Sequence, residues 1–378
     1  MVVGRIAAAT HSPVAFSGVR YIRVGTATKA LASSPTIERE LWRVLERVDF
    51  ESNSAIIRLN DKEILDLIDY GSYFGLLNTP LPDTRAGIIE HLLADKLLSH
   101  EDGIWSVTNL GAVAFGRGLS AFDSVSRKAL RVIHYRGNSR VETIHEREFD
   151  RGYANGFESV IEYITGRFPQ REEIGAAFRT NESAYPPIAI RELVANALVH
   201  QDFSISGTGP MVEIFSNRVE IINPGTPILP TERFVDMLPQ SRNEKLASLL
   251  RRAFIVEERG TGWDKVAYQV ELFRLPAPRV EVSENHTRAV LLGPQQLTKL
   301  ATEDRIRAVY LHAALRQVTG EFTSNQSVRD RFMIATGNSA QASRILKEAT
   351  DAGVIVVRDP EAGSKARQYV PFWAATTR

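Results

Sequence analysis

The sequence predicts an α+β protein, a central α/β sandwich flanked by winged-helix segments, and three observations predict it. A helical pattern at 189–203 is apolar around most of its circumference and is followed by two alternating stretches, 211–215 and 218–222, split by Ser216-Asn217. Residues 60–117, and again those from about 302 onward, read as helices followed by a short hairpin. The 378 residues, 43% hydrophobic and 24% charged, suffice for two or three domains with cores of their own. The expected divisions are 1–58, 59–124, 125–293 and 301–374.

Taken in order, residues 13–25 read as a turn and a short strand, followed by a helix from about Pro35. Arg20, Arg23 and Lys29 there suit either phosphate contacts or the solvated face of an edge strand. Residues 62–68 read as a helix with Asp61 as its cap, and 84–98 as a second helix with Ile88, Ile89, Leu92, Leu93 and Leu97 on one face. Asp102-Gly103 turns a hairpin of wing type onto 104–107. This helix mixes acids and bases, so the segment suits a structural or dimerising role. A linker-like stretch follows, then a strand at 130–135 and a helix at 149–168. Residues 293–298 read as a linker.

Chemistry concentrates in the helix at 189–203. Glu192 and Asn196 stand one turn apart, so both face the same way among Ile190, Leu193, Val194, Ala197 and Leu198. An amide oxygen can ligate a magnesium ion that carries phosphates, and a carboxylate can orient or deprotonate a water. Spacing alone equally suits two polar residues on the wet edge of a half-buried helix. Further on, Gly260-Thr261-Gly262 opens a helical pattern, a plausible cradle of backbone N–H groups for phosphate.

Order and spacing together resemble a known family. Glu192-x-x-x-Asn196 on a helix, a strand pair ending in Asn223-Pro224-Gly225, Arg242-Asn243, and Glu258-Arg259-Gly260-Thr261-Gly262 resemble the divergent branch of the gyrase, heat-shock chaperone, histidine kinase and mismatch-repair ATPase (GHKL) superfamily. In that branch the domain sits behind a Schlafen AlbA-type domain, in proteins described as transcriptional regulators or RecG-like. The resemblance covers about 125–293 and implies a Bergerat-type sandwich. Glu192 then matches the general-base position and Asn196 the magnesium position, while Gly260 and Gly262 match the second glycine box, flanked by Arg259 and Thr261. Asn223 and Gly225 stand where the superfamily usually carries an aspartate-led first box; an asparagine accepts a hydrogen bond without charge, which suits sensing or slow turnover. His200 would cap and position the helix. Residues 1–58 look like the C-terminal remnant of an AlbA-type domain that is otherwise truncated here.

The resemblance thus implies ATP and magnesium as ligands and a homodimeric, DNA-binding regulator, or else a slow ATPase or a dimerisation scaffold. For double-stranded DNA the candidates lie in the last segment: Gln341, Ser343, Arg344 and Lys347 on a recognition-type helix, with Lys365 and Arg367 on the wing. Net charge is only +1, so overall charge does not mark a nucleic-acid binder. The absence of cysteine excludes disulfide and thiolate chemistry and agrees with a cytoplasmic protein. No apolar run of about 18 residues exists to span a membrane. There is no Gly-x-x-x-x-Gly-Lys-Ser/Thr motif, which excludes a P-loop helicase motor. The histidines lack zinc-ligand spacing.

Overall fold

The computed structural model describes residues 13, 15–45, 50–174, 179–257, 262–363 and 366–375. Its architecture is α+β, as expected. The described residues begin with a three-stranded antiparallel sheet, β1 (Ala15–Phe16), β2 (Val19–Val24) and β3 (Ala27–Ala30), followed by α1 (Pro35–Leu45). Arg20 lies 4.9 Å from the Trp42 ring of α1.

A second small sheet, ordered β4-β6-β5, joins β4 (Ser54–Leu59), β5 (Leu98–Glu101) and β6 (Ile104–Thr108). Around it lie α2 (Asp61–Leu67), α3 (Tyr70–Leu76), α4 (Arg85–Ala94) and α5 (Asn109–Phe115). Three details depart from the sequence reading. The cap of α2 is Asn60, not Asp61: its side chain accepts from the Glu63 N–H at 3.0 Å and the Glu63 carboxylate accepts from the Asn60 N–H at 2.8 Å. Helix α4 stops at Ala94, because Lys96 turns into the left-handed region at φ 61° and Leu98 already belongs to β5. The segment 60–117 closes with a helix that the sequence reading did not assign, α5, whose every residue is buried.

The central sheet has six strands in the order β13-β14-β12-β11-β7-β8. In chain order its region contains β7 (Leu130–Tyr135), β8 (Thr143–Phe149), α6 (Tyr153–Thr165), a separate β9 (Gln170–Ile174) and β10 (Arg179–Ser183) pair, and α7 (Pro187–Val199). Then come β11 (Met211–Ile214), β12 (Arg218–Pro224), α8 (Glu244–Arg252), α9 (Gly262–Leu272), β13 (Arg279–Val282) and β14 (His286–Leu292). Only the β7–β11 pair is parallel. The helix expected from Phe149 begins at Tyr153, and Phe149 ends β8. Alternation puts Val132, Val212, Ile214, Val219, Ile221 and Leu291 on one face, in a continuous apolar cluster with Leu193, Val194 and Leu198 of α7. That cluster extends to Ile64, Leu92 and Phe115, so residues from both sides of the expected boundary at 124 share it.

The other face of the sheet buries charge. Glu213 and Glu220 stand opposite each other on β11 and β12, and both are buried. Arg140, from the β7–β8 connection, forks onto Glu213 at 2.8 and 2.6 Å and reaches Glu220 at 2.9 Å. The Tyr135 hydroxyl donates to Glu213 at 3.0 Å, and Arg218 donates to Glu220 at 2.6 Å.

The last segment has its own core. Helices α10 (Thr302–Val318), α11 (Asn325–Phe332) and α12 (Ser339–Asp351) precede the antiparallel pair β15 (Ile355–Val357) and β16 (Tyr369–Pro371). Val309, Val328, Ile345, Leu346 and Ile355 pack together inside it. Ser324 caps α11 through a reciprocal pair with Ser327. A second cluster joins Ala308, Leu311 and Ala314 of α10 to Ala267 of α9 and to Val235. Among the described residues no helix is long and apolar enough to cross a membrane.

Candidate functional site

Helix α7 starts cleanly because Pro187 occupies its first turn, where a missing N–H costs nothing. It ends at His200, whose backbone N–H donates to the Asn196 carbonyl at 2.9 Å. Between them Glu192 and Asn196 point into a cavity of about 720 Å³ that also meets His200, Asn223 and Gly262. Five residues expected in the site therefore do come together. Arg259, Gly260 and Thr261 lie outside the described residues. A side chain at Gly262 would begin 2.9 Å from Glu192 Oε2 and 3.7 Å from Asn196 Nδ2, so the backbone there runs close over both polar groups.

Glu192 is 6% exposed and, among the described residues, makes no side-chain hydrogen bond or salt bridge. Burial pushes its carboxyl above the ordinary 4.5, against the opposing charges of Lys265 and Arg191. Lys265 itself pairs with Glu257 at the cavity wall. Burial, followed by the Arg242 charge, lowers the His200 ring below its usual value. Its hydrogen bond to α7 is made by the backbone N–H, which caps the helix at Asn196. Asp264, on the first turn of α9, is pushed up to about 6 by burial and has one oxygen without a partner.

The far end of the cavity is formed by strand ends. Asn223 lines it, and its amide N–H donates to the Pro224 carbonyl at 3.2 Å. Gly225 lies beside the cavity lining, not in it. It adopts φ 96°, and a Cβ there would fall 2.7 Å from the Asp202 Cβ, so the position needs glycine twice over. Asp202 donates its N–H to the Pro224 carbonyl at 2.8 Å and accepts from Arg242 at 3.0 Å. Arg242 also reaches the Thr226 carbonyl at 2.9 Å, and Asn243 donates to the Val199 and Gln201 carbonyls at 2.7 and 2.9 Å. Thr287, opposite Asn223 on β14, lines the cavity and donates to the Gly225 carbonyl at 2.7 Å. Sequence reasoning singled out Arg242 and Asn243 as a motif but missed Thr287, Lys265 and Trp263.

The cavity suits a nucleotide in size, and its wall is mixed in character. Ile221, Ile228, Leu229, Phe234, Met237, Trp263 and Ala289 give an apolar compartment, while Glu192, Asn196 and the Gly262 backbone give a polar end. The described lining carries Glu192, Glu244 and Glu257 against Arg251 alone. A divalent cation accompanying a polyphosphate would offset the acidity of this described part of the wall. No group of three or more acidic, histidine or cysteine side chains poised for a metal exists among the described residues, so the ligand set that fits is one amide oxygen plus phosphate oxygens and water.

The expected DNA-contact residues sit elsewhere. Arg344 and Lys347 are exposed on α12 and Gln341 is half-buried there; Arg367 is exposed between β15 and β16. Ser343 accepts from the Asn325 amide at 2.9 Å, and Lys347 pairs with Asp351 at 2.5 Å. Lys365 lies outside the described residues.

Against known proteins, residues 207–291 match the family described as "Putative ATP-dependent DNA helicase recG C-terminal", a stretch that carries β11, β12, α8, α9 and most of β14 but begins after α7. No curated protein matches the chain. In fold the chain is similar to the crystal structure of the DIP2311 protein from Corynebacterium diphtheriae, at a TM-score of 0.52 and 14% identity, covering 94% of this chain and 70% of that one. An ATPase-like domain family is thus matched over β12, β14, α8 and α9 at the cavity, though not over α7.

Proposed function

We propose that the cavity between α7, α9 and the ends of β12 and β14 binds a magnesium–adenine nucleotide, and that the chain is a DNA-binding transcriptional regulator governed by that nucleotide. The observation that carries the nucleotide reading is Glu192. A buried carboxylate with no hydrogen-bonding partner among the described residues is costly, and proteins keep such groups chiefly where function uses them. Asn196 would hold the metal, the backbone at Gly262 would face the phosphates, and Asn223 with Thr287 would face the base. Magnesium, when bound, would offset the phosphate charge against the acidic wall. The family match over 207–291 supports this reading from the other side of the cavity.

The DNA half of the proposal is supported by the exposed Arg344 and Lys347 on α12 and by Arg367 beyond it. The AlbA-type reading of residues 1–58, the cytoplasmic location and the homodimer rest on sequence resemblance and composition. Slow hydrolysis is the second reading. Burial raises the basicity of Glu192, as a general base working near neutral pH requires.

Calorimetric titration with magnesium and a non-hydrolysable ATP analogue tests the site. Binding to the wild-type protein that disappears in Asn196→Ala is the expected result. Wild-type protein that binds no nucleotide would reduce the domain to a scaffold.

A further inference from the structure

We propose that the loop 226–241 is a lid latched by the C-terminal helices, so that filling the cavity and moving those helices are one coupled event. What fills the cavity rests on the nucleotide reading above; the mechanical link does not.

The loop has two working sides. On the inside, Ile228, Leu229, Phe234 and Met237 wall the cavity. On the outside it is gripped by α10 and the segment after β16. The Tyr310 hydroxyl donates to the Glu232 carbonyl, and the Trp373 ring N–H donates to the Tyr310 oxygen at 3.1 Å. The Arg233 guanidinium lies 5.4 Å from the Trp373 ring centroid. Val235 is buried in one cluster with Ala308, Leu311 and Ala314 of α10.

A second grip acts on α9. Trp263 follows the glycine that overlies Glu192 and Asn196, lines the cavity, and packs against the same α10 cluster. Its ring meets Phe234 of the loop edge-on at 5.4 Å. Lid and phosphate-side helix start are thus held from one direction.

The remaining ties of the C-terminal helices lie at the far end of α9 and beyond. Glu271 accepts His312 at 3.0 Å, the Leu275 carbonyl accepts Arg331 at 2.6 Å, and Arg279 pairs with Asp304 at 2.7 Å. These anchors keep the module docked while the latch changes. The lid also has apolar surface still to bury: Ile228 is 45% and Leu238 85% exposed. Closing over a ligand would bury that surface and pull on Tyr310 and Trp373, and any force on the helices would return by the same contacts.

Hydrogen–deuterium exchange of the full chain, without nucleotide, tests the latch. In Trp373→Ala, peptides covering 226–241 should exchange about tenfold faster, while α10–α12 keep their protection through the far anchors. Should that variant lose the fold of the module, Tyr310→Phe removes a single hydroxyl and should still quicken the lid about threefold. Lid exchange unchanged in a folded variant overturns the latch, whether or not the wild-type protein binds nucleotide. Adding magnesium and the ATP analogue then judges the site separately. The analogue should slow the lid and α10 together in the wild-type protein, and slow only the lid in Trp373→Ala.

Discussion

Glu192 shows how one side chain can be both a cost and a device. Because burial raises its pKa above the unfolded value of 4.5, its protonated form contributes stability below that value, and the contribution is lost as pH rises through the folded pKa. At neutral pH the ionised carboxylate is therefore a burden on the fold. Glu192→Gln keeps the shape and removes the charge. Its melting temperature should exceed the wild type's at pH 7–8 by about 2–4 °C for each kcal/mol relieved, and the gap should close toward pH 4. Equal melting at both pH values would mean that the carboxylate is better solvated than its burial indicates. The pair with Asn196 was legible in the sequence because helix periodicity alone places residues four apart on one side. The close approach of Gly225 to Asp202 was not, because it joins the end of β12 to the segment after α7 through contacts no local pattern encodes.

Among elements, the alternating strands β11 and β12 and their two-residue turn were readable by period, and so were α8, α10 and α12. Helix α5 was not. It is short, built largely from small and apolar residues, and buried on every side, so it lacks the polar face by which an amphipathic helix announces itself. Alternation left the surroundings of Glu213 and Glu220 undecided: both are buried, and Arg140 arrives from a loop to cover them. Removing that fork leaves two buried carboxylates facing each other. Arg140→Ala should cost about 3–5 kcal/mol, read from denaturant midpoints at constant slope. A loss under about 1 kcal/mol would mean that Arg218 and Arg288 suffice as partners.

At the scale of the whole molecule, the apolar cluster that runs from Ile64 to Leu291 disregards the division expected at residue 124. Helix α5 packs against both α6 and α8. Glu51 caps α8 by accepting the Lys245 and Leu246 N–H groups at 3.1 and 2.5 Å, while Phe50 stacks on Phe203 at 4.7 Å. A fragment of residues 50–293 should thus melt in one cooperative transition, whereas 125–293, stripped of α5 and of the Glu51 cap, should not. Cooperative melting of the shorter fragment, followed by circular dichroism, would restore the boundary that the sequence suggests.

The facing acids of β11 and β12 also bear on how the chain finds its strand alignment. A shift of either strand by a single residue would turn its acid toward the apolar layer beneath α7, away from Arg140 and Tyr135. Misaligned sheets would then strand a carboxylate in hydrocarbon. The network thereby acts as a proofreading device against one-residue slips, penalising them more heavily than it rewards the correct pairing.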